Sequence, residues 1–398
     1  AVVLVVAMVG LIPGVLEVLG YSDAAAAMGG DFPSFYAAGS IVLDGGIEGL
    51  YDPAVQQAYQ EGFHDEGEYL FFAYPPFVAI GYAAIAWLPY GVSFALHTGV
   101  SLAALFTACW LALEHFTPKA DLRRRIAMAS ALAIACYPIL RAVLGGQNTT
   151  FSLALVTGIW WASERDRNVL AGVLLMGLMA KPQFALVLLV VLIVARRWRS
   201  VATAAGGACA LYLGTALWVG WAWPREWIEQ VVAFGEANGV VNGPLMVNIL
   251  GWVDAAVPGG ATAIVTAVIL LVAAVGGAVW AVVRAGVEWR SFGALASALV
   301  LLSPSALYYD AGIALFAFGV VAVIVLGQQW WVGAIVAVSW TQVLQPWLGW
   351  SPLFIVVCAL FAISLVLLGP GGERVTPYRY TRRAGEADGG EDTWRVTG

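Results

Sequence analysis

Apolar runs recur along the chain at 1–20, 72–88, 92–114, 126–141, 150–163, 169–180, 183–195, 201–221, 260–283, 292–302, 311–326, 331–345 and 351–368, separated by short polar punctuation. A helix needs roughly 17–25 mostly apolar residues to cross a hydrocarbon core of about 30 Å. The pattern therefore predicts an all-α polytopic membrane protein, with one transmembrane domain over 1–368. The runs at 169–180 and 183–195 are only about 18–20 Å long at 1.5 Å per residue. Interrupted helices at membrane depth must be buried in protein or line a watery cavity, so these two predict a cavity cut into the bundle. The first run lacks a basic leading segment and reads as a span rather than a cleaved signal peptide.

Two polar stretches interrupt the pattern. Residues 21–71 are rich in acids but have no Lys or Arg; PSFYAAGSIVL and PAVQQAYQEGF within them each read as a short interfacial helix opened by Pro. Residues 222–259 form a Trp-rich loop, readable as an interfacial aromatic belt or as a cover over substrate. The 369–398 tail is polar and Gly-rich, and its composition predicts disorder.

Composition supports this reading: of 398 residues 61% are apolar and 11% charged, against about a quarter charged in soluble domains. The net charge of −6 leaves no basic surface for nucleic acid. Basic residues cluster in KADLRRR (119–125), RRWR (196–199), RAGVEWR (284–290) and the tail at Arg382 and Arg383. Such clusters stay cytoplasmic. That places 21–71, the GGQN turn at 145–148, the KPQ turn at 181–183, the loop after Trp221 and SPSALYYD at 303–310 on the extracytoplasmic side. Thirteen crossings would put the basic tail outside, so one run must fail to cross. With 72–89 as that run, about 12 transmembrane helices remain.

The scarce polar residues thus collect on one side. Asp31 stands between GG and FPSFY; it reads as an N-cap or as a general base where lipid and water meet. Lys181 is flanked by apolar residues and followed by a helix-breaking Pro. A lysine there costs about 2.5–3.5 kcal/mol on insertion scales, so it either snorkels or serves an anionic group. Arg141 ends CYPILR, and its planar fork suits phosphate. Gln147 and Asn148 cap a helix or orient sugar hydroxyls, and Tyr309 and Asp310 read as cap or sugar site. Cys109, Cys136, Cys209 and Cys358 occur singly, and His64, His97 and His115 are scattered. No P-loop, GxGxxG, HExxH or CxxC pattern occurs. Neither a metal nor a cofactor is expected.

Taken in order, GGDFPSFYAAG, LYDP, FAYPPFVA, GGQNTTF, AGVLLMGLMAKPQ with the RRWR that follows, and SPSALYYD resemble the GT-C glycosyltransferases that use polyprenyl-phosphate sugars, specifically glycosyltransferase family 87. The resemblance implies a GT-C fold in the cytoplasmic membrane and inverting transfer of a sugar, mannose by family expectation. The donor would be a lipid-linked polyprenyl-phosphate sugar, and the acceptor a glycolipid or glycan on the extracytoplasmic side. Asp31 would be the base, with Lys181 and Arg141 binding the donor phosphate. Gln147, Asn148, Tyr74, Gln183, Tyr309 and Asp310 would contact sugar or acceptor. Where the family favours histidine near the SP motif, this chain has Tyr309 and Asp310, which leaves acceptor and sugar open. A transporter or flippase for a lipid-linked sugar is the alternative, because broken helices around a polar site also mark transporters.

Overall fold

The computed structural model describes Ile12, residues 29–63, 69–116, 135–326 and 330–369, and two short strands at Arg379–Thr381 and Arg395–Thr397. The strands pair antiparallel. The expected first span, His64, the 119–125 basic cluster, most of the 126–141 run and the rest of the tail lie outside the described residues.

The helices follow the apolar runs closely. They are α1 (Phe32–Leu43), α2 (Pro53–Gln60), α3 (Pro76–Ala86), α4 (Tyr90–Phe116), α5 (Tyr137–Leu144), α6 (Thr149–Glu164), α7 (Asn168–Gly177), α8 (Pro182–Val194), α9 (Trp198–Val219), α10 (Trp223–Asn242), α11 (Ile249–Ala256), α12 (Ala261–Ala285), α13 (Trp289–Leu302), α14 (Ala311–Leu326), α15 (Trp330–Ser339) and α16 (Leu353–Leu367). Among the described residues, α4, α9 and α12 are long and apolar enough to cross a membrane, and seven shorter apolar helices pack with them. This is a membrane protein.

Burial divides the helices into two kinds. On α12, Ile264, Val265, Val268, Ile269, Val272 and Val283 are all exposed, a surface that only lipid makes favourable. By contrast α13 and α14 are buried along almost their whole described length and form the centre. Small residues permit this: a Cβ at Gly293 would stand 2.6 Å from Ser364 on α16. Because lipid tails give helices no hydrophobic reason to associate, such close backbone approach is what holds them.

A second, smaller core lies over one end of the bundle. Phe32 and Phe35 of α1 pack with Leu50, Phe72, Tyr90 and Phe94. Gly39 lets α1 touch the backbone of α3, and Gln60 fastens α2 by exchanging hydrogen bonds with Leu70 at 2.9 and 2.8 Å.

Two features depart from the sequence reading. First, 222–259 is chiefly helical, with α10 and α11, rather than a loop. Pro224 in the first turn, Glu226 near the N-terminus and an Arg225–Glu229 pair at 2.9 Å favour α10, while Asn248 caps α11 by accepting from Gly251 N–H at 2.8 Å. Second, α5 runs on to Leu144, three residues past the expected end of that run, with Arg141 in its last turn.

Candidate active site

Two glycine turns build the floor of the site. Gly30 and Gly146 have φ of +52° and +62°, a region costly for any residue with a Cβ. A Cβ at Gly30 would stand 2.9 Å from Gly145, and one at Gly146 would stand 2.6 Å from Phe32 Cβ. GGD and GGQN therefore lie backbone to backbone, joined by Asp31 N–H donating to Gly145 O at 3.0 Å. His97 lies beneath, its ring against the backbone of Gly146 and Gln147.

This contact delivers Gln147 to Asp31, with Gln147 Nε2 donating to Asp31 Oδ2. Asp31 occupies the N-cap position of α1, yet its side chain makes no cap hydrogen bond. The carboxylate is turned to the cavity instead. It is half-buried and outside the spanning helices; desolvation pushes it up to about 6, opposed by Lys181, reinforced by Asp310 and opposed again by a hydrogen bond with the Tyr309 hydroxyl.

Lys181 stands at the break between two helical pieces. A 3₁₀ turn over Leu178–Ala180 ends the first, and Pro182 begins the second. Its Nζ lies 2.8 Å from Asp310 Oδ1, with both side chains about 5% exposed or less. Thr149 Oγ1 also donates to Asp310 Oδ1 at 2.8 Å. The lysine therefore does not snorkel; it is half of a buried ion pair. Its two remaining N–H groups stay available to another oxygen.

Asp31, Tyr74, Lys181, Gln183, Tyr309 and Asp310 line a common cavity of about 550 Å³. Gln147 and Asn148 stand behind this wall. Asn148 makes no cap hydrogen bond and its side chain instead meets the Tyr74 hydroxyl, while Gln183 Nε2 donates to Ser305 Oγ at 3.3 Å. Arg141 is not brought to the cavity. It is exposed, and its Nε donates to the Tyr308 hydroxyl at 3.3 Å.

The sequence reading missed Thr149, Ser305 and the whole cavity face of α10. Trp227, Val231, Phe234, Asn238 and Asn242 line the cavity from that helix, and Trp227 Nε1 donates to Ala73 O at 3.2 Å. This part of the Trp-rich stretch lines the cavity. Its spacing of four, three, four and four residues is the helical signal that could have found it.

The geometry offers a carboxylate raised toward neutral pH, a buried ammonium lining the same cavity, and walls that combine these polar groups with apolar residues such as Leu70, Phe71, Leu186 and Val187. That combination suits transfer chemistry on an amphiphile. No curated protein and no solved structure matches the chain. The family model for glycosyltransferase family 87 matches residues 72–304, a stretch that runs from α3 through the KPQ break to the SP of SPSALYYD. By that match the chain belongs to glycosyltransferase family 87.

Proposed function

We propose that this glycosyltransferase moves a sugar, mannose by the resemblance, from a polyprenyl-phosphate donor to a hydroxyl of a lipid-linked or glycan acceptor, with inversion. The observation that carries the reading is the Asp31 carboxylate, raised to about 6 and lining a largely apolar cavity together with the Lys181 ammonium. A base poised near the working pH is the most effective kind. In the reaction, Asp31 takes the proton of the acceptor hydroxyl as its oxygen bonds to the anomeric carbon. The bond from that carbon to the phosphate oxygen breaks, and its electron pair leaves with the lipid phosphate. Lys181 donates to the phosphate as charge develops there, while Asp310, itself held by the Thr149 hydroxyl, keeps the ammonium in place. The Leu70–Phe71 and Leu186–Val187 walls suit the isoprenoid end of the donor. The phosphate role that the resemblance gave to Arg141 finds no support in its position beside Tyr308.

Sidedness has a structural argument. α6, α8 and α13 each direct one end toward the cavity through Thr149, Pro182 and Leu302. Their far ends are followed or accompanied by Arg165 and Arg167, Arg196 and Arg197, and Arg290. Basic residues at the far ends favour a cytoplasmic location for them and an extracytoplasmic site in the cytoplasmic membrane.

The test is transfer by the purified chain in vesicles carrying a polyprenyl-phosphate sugar labelled in the sugar, with glycolipid acceptors. The expected result is a labelled glycoside and one free polyprenyl phosphate per sugar transferred. Labelled donor that crosses the bilayer intact, without product, would establish the flippase reading instead.

A further inference from the structure

The face that α10 turns to the cavity changes character along its length. Trp227, Val231 and Phe234 are apolar, whereas Asn238 and Asn242, one to two turns further on, are amides. From Trp227 to Asn242 the face runs about 22 Å at 1.5 Å per residue. Asn238 is 3% exposed. Its Oδ1 accepts from Asn242 Nδ2 at 2.8 Å, but its own Nδ2 is buried with no partner among the described residues. Buried donors are rarely left unmade, and Asn238 is one of the residues that line the cavity. Nearby on the same wall, Ser305 and Gln183 are occupied with each other, and Lys181 is held by Asp310.

We propose that the Asn238–Asn242 pair is a sugar-reading subsite in which the unpartnered Asn238 Nδ2 donates to a hydroxyl oxygen of the sugar being transferred, so that α10 sets donor-sugar specificity. The inference rests on the glycosyl-transfer reading above and deepens it. Asn242 fixes the amide: by donating to Oδ1 it leaves Nδ2 as the free edge, so the pair offers a donor at a set position. A sugar lacking that hydroxyl leaves a buried donor unpaired, and sites built to pair a hydroxyl reject analogues without it. The apolar half of the same face lies against the lipid part of the donor, so one helix reads both parts of an amphiphile.

The experiment compares kcat/KM of the full chain in vesicles for the intact polyprenyl-phosphate sugar and for each of its monodeoxy analogues. Wild type, Asn238→Ala and Asn238→Asp are used; the last keeps the shape of the amide and removes its donor. The wild-type chain is expected to lose on the order of tenfold on one monodeoxy donor. Both variants should fall by about the same factor on the intact donor and no longer distinguish it from that analogue. Variants that keep the wild-type preference among all donors, or that lose activity equally on every donor, would overturn the subsite while leaving sugar transfer standing. Wild type that transfers from no donor would overturn the reading beneath it. Should neither variant fold, the wild-type series still decides: equal rates on every monodeoxy donor contradict the proposal.

Discussion

Asp31→Asn is expected to lower sugar transfer by between about a hundredfold and ten-thousandfold, the usual worth of a general base, while the donor still binds. The substitution keeps shape, and its amide oxygen can still accept from Gln147, whose Nε2 donates to the carboxylate. Packing is unchanged because Asp31 makes no cap for α1. What disappears is the group that accepts the proton. In the wild-type chain the same role predicts an acid limb, with kcat falling tenfold per pH unit below about 6 as the carboxylate becomes protonated.

Stability should move the other way. Asp31 is raised from an ordinary 3.8 to about 6, so between those values the folded chain holds more protons than the unfolded one. By linkage, its contribution to stability is fully present below about 3.8 and is lost as pH rises through about 6. Near neutral pH Asp31→Asn removes the half-buried, desolvated charge, and the variant should unfold at a temperature equal to or above that of wild type. Thermal unfolding in detergent across this pH range, paired with rate measurements, separates a base from a structural acid. A variant that is both less active and less stable would speak against the assignment.

Lys181→Met is expected to destabilise the chain by about 3–5 kcal/mol, the usual result of leaving one member of a buried ion pair without its partner. Asp310 is the stranded group, 4% exposed and 2.8 Å from the ammonium in the intact protein. Adding Asp310→Asn removes the stranded charge. The amide oxygen can still accept from Thr149, which donates to Asp310 at 2.8 Å, so most of the lost stability should return. Transfer should not return, because the departing phosphate has lost the ammonium beside it. Unfolding temperature and single-turnover transfer measured on both variants check this. A double variant as active as wild type would make the pair a purely structural tie across the KPQ break.

How much of this could be read from the chain depends on what each residue answers to. Helices such as α4 and α12 are legible because long apolar runs in a membrane protein have one outcome, and the KPQ break is legible because Pro182 denies a hydrogen bond to the turn before it. GGD and GGQN were each readable as turns, but not that the two turns meet. That depends on the absence of Cβ atoms at Gly30 and Gly146 where two distant backbones cross. Ion pairing was hidden for the same reason: Lys181 and Asp310 are 129 residues apart, and each looked like an unpartnered group suited to a ligand. α10 reads as a loop in sequence because it is less apolar than the helices on either side, although its face against the cavity is regular. Sequence does not give the direction of a side chain: Arg141 is in the last turn of α5, and its guanidinium meets Tyr308 rather than the cavity.

The central claim is a single displacement in which an acceptor hydroxyl, relieved of its proton by Asp31, attacks the anomeric carbon directly. The anomeric configuration of the glycoside formed by the reconstituted chain, read by NMR before any later equilibration, tests it most directly. The account predicts a configuration opposite to that of the donor; retention would require an intermediate bonded to the protein and would contradict it.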